Sequence, residues 1–210
     1  MLALVASLLA SGCAGPTGQQ RVVDAKAALD RAPTCCRSLA EARREALPRT
    51  TLDVQVDGTT SQAFDFGGNK AFFRLFELPV FSKTYAVVLT SAALGPMTDV
   101  ALFIPRVAVY DADFRVTRFF DEKTLRNRGN DLERTLFFNP ANAGERYLAV
   151  YGADLSASIE RAYSMVTVTP VVAGPVMFNV VSGTDGKSIL RASPAGTLRV
   201  EVQGLEPAAR

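Results

Sequence analysis

The stretch Lys83–Phe114, KTYAVVLTSAALGPMTDVALFIPRVAVYDADF, constrains the fold more than any other part of the chain. Tyr85, Val87 and Leu89 alternate with Ala86, Val88 and Thr90, the period of two that a strand requires. Gly95-Pro96 interrupts the run, Val100–Ile104 resumes it, and Pro105 interrupts it again. Val107 and Val109 then alternate with Ala108 and Tyr110 until Asp111-Ala112-Asp113 turns the chain. Three short apolar runs separated by turn chemistry predict the central strands of an antiparallel sandwich.

The same alternation recurs on both sides. Leu52, Val54 and Val56 predict a half-buried strand, Asp57-Gly58 a turn, and Ala63–Phe66 a strand pairing back. Gly67-Gly68-Asn69 is read as a hairpin turn, since it lacks the spacing of a phosphate-binding loop. In the following strand Phe72 and Phe76 share one face with Arg74 while Phe73 and Leu75 share the other, so it is expected inside the sandwich. Further strands are predicted over 115–120, 132–138, 146–151, 166–172, 176–181, 188–192 and 197–203. Asp121–Asp131 reads as an exposed loop and Gly183-Thr184-Asp185-Gly186 as a turn. Asp154 is placed to cap a helix running to Met165. The fold class expected is mainly β: an antiparallel, jelly-roll-like β-sandwich over residues 51–210, preceded by one or two short N-terminal helices.

Those helices follow from capping signatures. Thr17-x-x-Gln20 opens one that Pro33 stops, and Ser38-x-x-Glu41 opens a second that Pro48 ends. Before them, Met1–Ala10 is apolar but for Ser7 and spans only roughly 15 Å as a helix, half a bilayer core. It suits the apolar region of an export signal. The small residues that follow it end in Cys13, an arrangement similar to the lipobox of bacterial lipoproteins, with Ala10 where Leu is commonest. Residues 1–12 are therefore expected to be a lipoprotein signal peptide, Cys13 the lipidated residue, and 13–50 a tether anchored to a membrane. The absence of Asp after Cys13 implies, by resemblance to enterobacterial sorting, the outer membrane as seen from the periplasm.

Lipidation of Cys13 would leave Cys35 and Cys36 as each other's only intramolecular partners in an oxidising compartment. Adjacent Cα atoms lie about 3.8 Å apart, below the usual ~4.4–6.8 Å for a disulfide, so a bridge between them is expected to be strained. Two readings stand: a redox-labile or ligand-facing disulfide, and a buried structural pair.

Cys35-Cys36-Arg37-Ser38-Leu39-Ala40-Glu41 ahead of an all-β region resembles the MalM family, the maltose-operon periplasmic proteins and related lipoproteins. The resemblance runs on through Phe64-Asp65-Phe66-Gly67, Phe73–Pro79, Tyr85–Ser91, Pro105–Asp111, Tyr147–Tyr151 and Gly196–Val200. It implies an accessory role in maltose or maltodextrin transport across the envelope, with an oligosaccharide or an envelope transport protein as partner. The alternative is a structural lipoprotein that scaffolds a protein partner.

Composition narrows the chemistry. The chain has no His, which removes imidazole catalysis and His-ligated metals. Ser91 and Ser182 therefore have no triad partner, and no Ser-x-x-Lys occurs. Lys+Arg 23 against Asp+Glu 21 leaves a net charge of +2, which argues against nucleic acid as a partner. No cofactor and no metal site is expected: Asp111-x-Asp113 could offer oxygens to Ca²⁺, but no further ligands follow at loop spacing, and a turn accounts for both. A non-catalytic role is expected. With no Trp in the chain, the ligand-binding candidates at a strand end are Tyr110, Asp111, Asp113 and Phe114.

Overall fold

The computed structural model describes residues 16–94, 100–156 and 158–205. The expected signal peptide, Cys13 and the Gly95-Pro96 turn lie outside them.

One helix, α1 (Gly18–Arg31), precedes the β domain. The Thr17 side chain accepts from the Gln20 N–H at 3.1 Å, and the chain leaves helical geometry at Ala32, before Pro33. The second expected helix does not form. Ser38 makes no side-chain cap, and only a 3₁₀ turn, Leu39–Glu41, is present. Glu41 accepts from the Arg37 N–H at 3.0 Å. Beyond it the chain is drawn out as a short strand, β1 (Glu45–Ala46), parallel to Phe76–Glu77. Pairing with a strand and burial of Leu39 and Ala42 outweigh one turn of local capping.

The remaining strands are β2 (Leu52–Val56), β3 (Gln62–Asp65), β4 (Lys70–Glu77), β5 (Tyr85–Ser91), β6 (Val100–Phe103), β7 (Pro105–Asp111) and β8 (Val116–Phe120). They continue with β9 (Arg126–Arg128), β10 (Asp131–Phe138), β11 (Glu145–Gly152), β12 (Ser158–Ala173), β13 (Val176–Ser193) and β14 (Gly196–Gln203). One sheet has the order β1-β4-β11-β7-β8, with β3 also paired to β4; the second has β2-β14-β5-β10-β9. Consecutive strands cross between these sheets, as at β4 to β5 and β10 to β11, which makes an antiparallel β-sandwich. A third sheet, β12-β13-β6, joins β13 parallel to β6.

The alternation along β4 sorts its side chains as their spacing demands. Phe72 and Phe76 enter the sandwich core with Val87, Leu89, Val107, Val109, Leu148 and Val150. Phe73 and Leu75 point the other way and join Ala108, Tyr110, Ala149 and Tyr151 on the outer face of the first sheet. Ala71–Tyr85 and Val100–Tyr110 thus supply most of the large buried side chains. Of the three runs expected as central strands, β5 and β7 are interior to the two sandwich sheets, whereas β6 is the edge of the third sheet and lies parallel to β13.

Four local expectations are overturned in whole or in part. β3 pairs with β4 across the Gly67-Gly68 turn and not with β2, which lies in the other sheet beside β14. Asp154 begins no helix; its carboxylate accepts from the Ser156 N–H at 2.7 Å, and the chain becomes strand from Ser158. Gly183–Gly186 makes no turn, being part of one continuous strand, β13. The Tyr163 ring lies over Gly186 in the facing strand, filling the space where a side chain would stand. The segment Asp121–Asp131 contains a 3₁₀ turn, Glu122–Thr124, and the exposed strand β9, so it is not loop throughout.

Candidate functional site

The outer face of the first sheet is not a smooth wall. β7 and β11 lay Ala108, Tyr110 and Tyr151 on it as a floor, because alternate residues of adjacent strands share a face. The β3–β4 hairpin supplies Phe64 from β3 and Phe66 from the bend just past its end, and both rings lie against Phe73. The β7–β8 hairpin supplies Phe114, and β8 supplies Val116 and Phe119. The Arg37–Ala40 segment forms the remaining rim. Together these enclose an open cleft of about 700 Å³.

The rings are fixed by one another. Phe66 stacks on Tyr151 with centroids 3.8 Å apart, and both Phe64 and Phe66 meet Phe73 edge-on. Phe114 stacks on Tyr147 at 4.3 Å, and the Arg44 guanidinium lies over both rings while donating to the Tyr147 hydroxyl at 3.1 Å. Phe119 is 54% exposed and Val116 57% exposed, so the cleft offers apolar surface to solvent. Burial, reinforced by Tyr151, pushes the Tyr110 hydroxyl up to about 12. Burial likewise raises Tyr151. Both phenols keep their protons at neutral pH and serve as neutral hydrogen-bonding groups.

Phe114 has φ 58°, the left-handed region that a bulky side chain rarely enters. The turn imposes it: the Phe114 N–H donates to Asp111 O at 3.2 Å and the Asp111 N–H to Arg115 O at 3.0 Å. One Asp111 carboxylate oxygen accepts from the Asp113 and Arg115 N–H groups, both at 2.9 Å. The left-handed residue is the one whose ring reaches Tyr147 and Arg44.

Of the four residues singled out in the sequence, Tyr110, Asp113 and Phe114 therefore line one cleft. Asp111 does not line it; its carboxylate holds the turn. Asp113 pairs with Arg115 at 3.0 Å on the exposed rim. Phe64, Phe66, Phe119 and Tyr151 were not among the sequence candidates. The signal for the first two was present, since Phe64-Asp65-Phe66 puts two rings close together immediately before a glycine turn. No local pattern joins them to Phe114, which reaches the site through a different hairpin.

Cys35 and Cys36 form a disulfide, with sulfurs 2.17 Å and Cα atoms 3.8 Å apart. Both are half-buried against the outer-face aromatic cluster. The Cys35 N–H donates to Ala63 O at 2.8 Å, fixing the segment that ends in the cleft residues Arg37 and Ser38. Among the described residues no group of three or more Cys, Asp or Glu is placed to hold a metal ion. No helix among them is long and apolar enough to cross a membrane.

Fold and site together define an antiparallel β-sandwich with an aromatic cleft on the outer face of one sheet. No protein-family model and no curated protein matches the chain.

Proposed function

We propose that this chain is a non-catalytic, lipid-anchored envelope protein that binds oligosaccharide as an accessory of maltose or maltodextrin transport. The observation that carries the reading is the cleft itself: aromatic walls and floor, with Arg37, Ser38, Asp65 and Asp113 around its edge. Aromatic faces pack against the C–H faces of sugar rings, and charged or hydroxyl groups at the edge bond the hydroxyls. The motifs that resemble the MalM family, above all Cys35-Cys36 and Phe64–Gly67, support the same reading: Phe64–Gly67 lines the cleft, and Cys35-Cys36 packs against its aromatic cluster. The periplasmic face of the outer membrane as its location rests on the lipobox-like residues before Cys13.

Isothermal titration of the purified whole chain with maltodextrins tests the proposal. Binding is expected, with loss of at least tenfold in affinity on Phe119→Ala, because that ring is exposed and its removal leaves the core untouched. Absence of heat at millimolar oligosaccharide would overturn the proposal.

A further inference from the structure

The β12–β13 hairpin reaches far beyond the body of the protein. Among the described residues β12 pairs with β13 alone, and β13 meets another strand only at its base, where Leu190–Ser193 pair with Val100–Phe103. Ile159, Leu190 and Ala192 pack into a core at that base, and no described residue between them does. From Ala162 to Thr184 the sequence has no Asp, Glu, Lys or Arg. Charge returns first on β13, at Asp185 opposite Ser164, and then on both strands towards the base, where Lys187 pairs with Glu160 across the ribbon at 2.6 Å.

Opposed residues of an antiparallel pair share a face, so the register sorts the apex. Val171 and Phe178 stand on one face, Val172 and Met177 on the other. Val172, Met177 and Phe178 are exposed, Val172 at 70% and Met177 at 71%, and Val171 is half-buried. Both faces are thus apolar and uncovered, where a water-exposed ribbon ordinarily keeps at least one face polar.

A second copy of the chain is a poor cover. From Met165 to Ala173, the length over which both strands are free of charge, the ribbon is about 27 Å long and about 10 Å wide, a flat footprint of roughly 270 Å² per face. A stable interface needs about 800 Å² from each partner, and a ribbon laid on one face leaves the other in water. A fluid apolar medium covers both faces at once. The outer strand edges carry unpaired backbone groups, so a lone ribbon does not cross hydrocarbon, and entry is confined to the apex. Pro170 removes one donor from the β12 edge at that apex.

We infer that the apex of this hairpin, Val168–Val181, is a membrane-inserting element that dips into the surface of a lipid bilayer. Its insertion is independent of the oligosaccharide cleft and of any lipid on Cys13. Because no charge lies in the apex, insertion into neutral bilayers is expected without any requirement for anionic lipid.

The chain has no Trp, so Phe178→Trp provides a single reporter on the apex. The whole chain is used with Cys13→Ser, so that no lipid is attached. With phosphatidylcholine vesicles the emission is expected to shift to the blue and to be quenched by lipids brominated along their acyl chains. Adding Val171→Asp and Met177→Asp, one charge on each face, should abolish both effects while the circular dichroism spectrum is retained. A reporter at Phe119→Trp, in the cleft, should be insensitive to vesicles. No vesicle-dependent shift at Phe178→Trp, or an equal shift at Phe119→Trp, overturns the inference. A blue shift that grows with protein concentration in the absence of lipid also overturns it, in favour of a second copy.

Discussion

Replacing Phe114 by Gly sets effects of opposite sign against each other. The left-handed backbone at φ 58° costs a non-glycine residue about 1–2 kcal/mol, which Gly recovers. Roughly 0.5–1 kcal/mol of that gain is returned through the greater freedom of glycine in the unfolded chain. Against the remainder stand the lost stack on Tyr147, about 1 kcal/mol, and the lost Arg44 contact, about 0.5–1 kcal/mol. Burial of half a Phe side chain contributes about 1 kcal/mol more. The losses sum to roughly 3 kcal/mol and the net gain to roughly 1, so Phe114→Gly is expected to destabilise by about 2 kcal/mol. In a domain of this size that lowers Tm by roughly 4–8 °C. Urea unfolding followed by circular dichroism measures it, with Phe114→Tyr expected near the parent value. A Phe114→Gly chain as stable as the parent would refute the claim that ring contacts hold Phe114 in its turn conformation. Phe114→Asn sharpens the comparison, since Asn tolerates the left-handed region yet lacks the ring; it should resemble Gly and not the parent.

Three further outcomes follow from particular contacts. The Arg106 guanidinium, bonded to Glu122 at 2.8 and 3.2 Å, holds that carboxyl below its ordinary 4.5. Its contribution to stability is complete above that ordinary value and is lost as pH falls through the lower folded value, so Glu122→Gln should flatten the acid side of a stability-versus-pH curve. At Gly196 an added Cβ would stand 2.7 Å from the Phe103 Cβ, which no rotation of that ring relieves, so Gly196→Ala should cost about 1–3 kcal/mol in urea unfolding. Reduction of Cys35–Cys36 releases almost no unfolded-chain freedom because the residues are adjacent; dithiothreitol should change the unfolding free energy by less than about 1 kcal/mol.

Strand positions could be read from the chain because side-chain direction alternates along every strand, whatever its neighbours. Phe72 and Phe76 on one face of β4 and Phe73 and Leu75 on the other follow from that geometry alone. So does the placing of Tyr110 and Phe114 around a turn held by Asp111. Pairing is different in kind. Which strand lies beside β3, whether Ser38-x-x-Glu41 becomes a helix, and whether Gly183–Gly186 turns or runs straight depend on partners distant in sequence. There, several kilocalories of sheet pairing and burial compete with a capping or turn preference of about one. At Ser38 the partner was β4 and the outer-face cluster; at Gly186 it was Tyr163 in the facing strand. The cleft belongs to this second class. Its rings come from the β3–β4 hairpin, β11 and the β7–β8 hairpin, and tertiary pairing alone makes them neighbours. The apex of the β12–β13 hairpin shows both sides of the division. Its lack of charge is plain in the residues from Ala162 to Thr184, but only the long register between the two strands, with no described residue of the core clusters packed on either face, leaves that apolar stretch in the open.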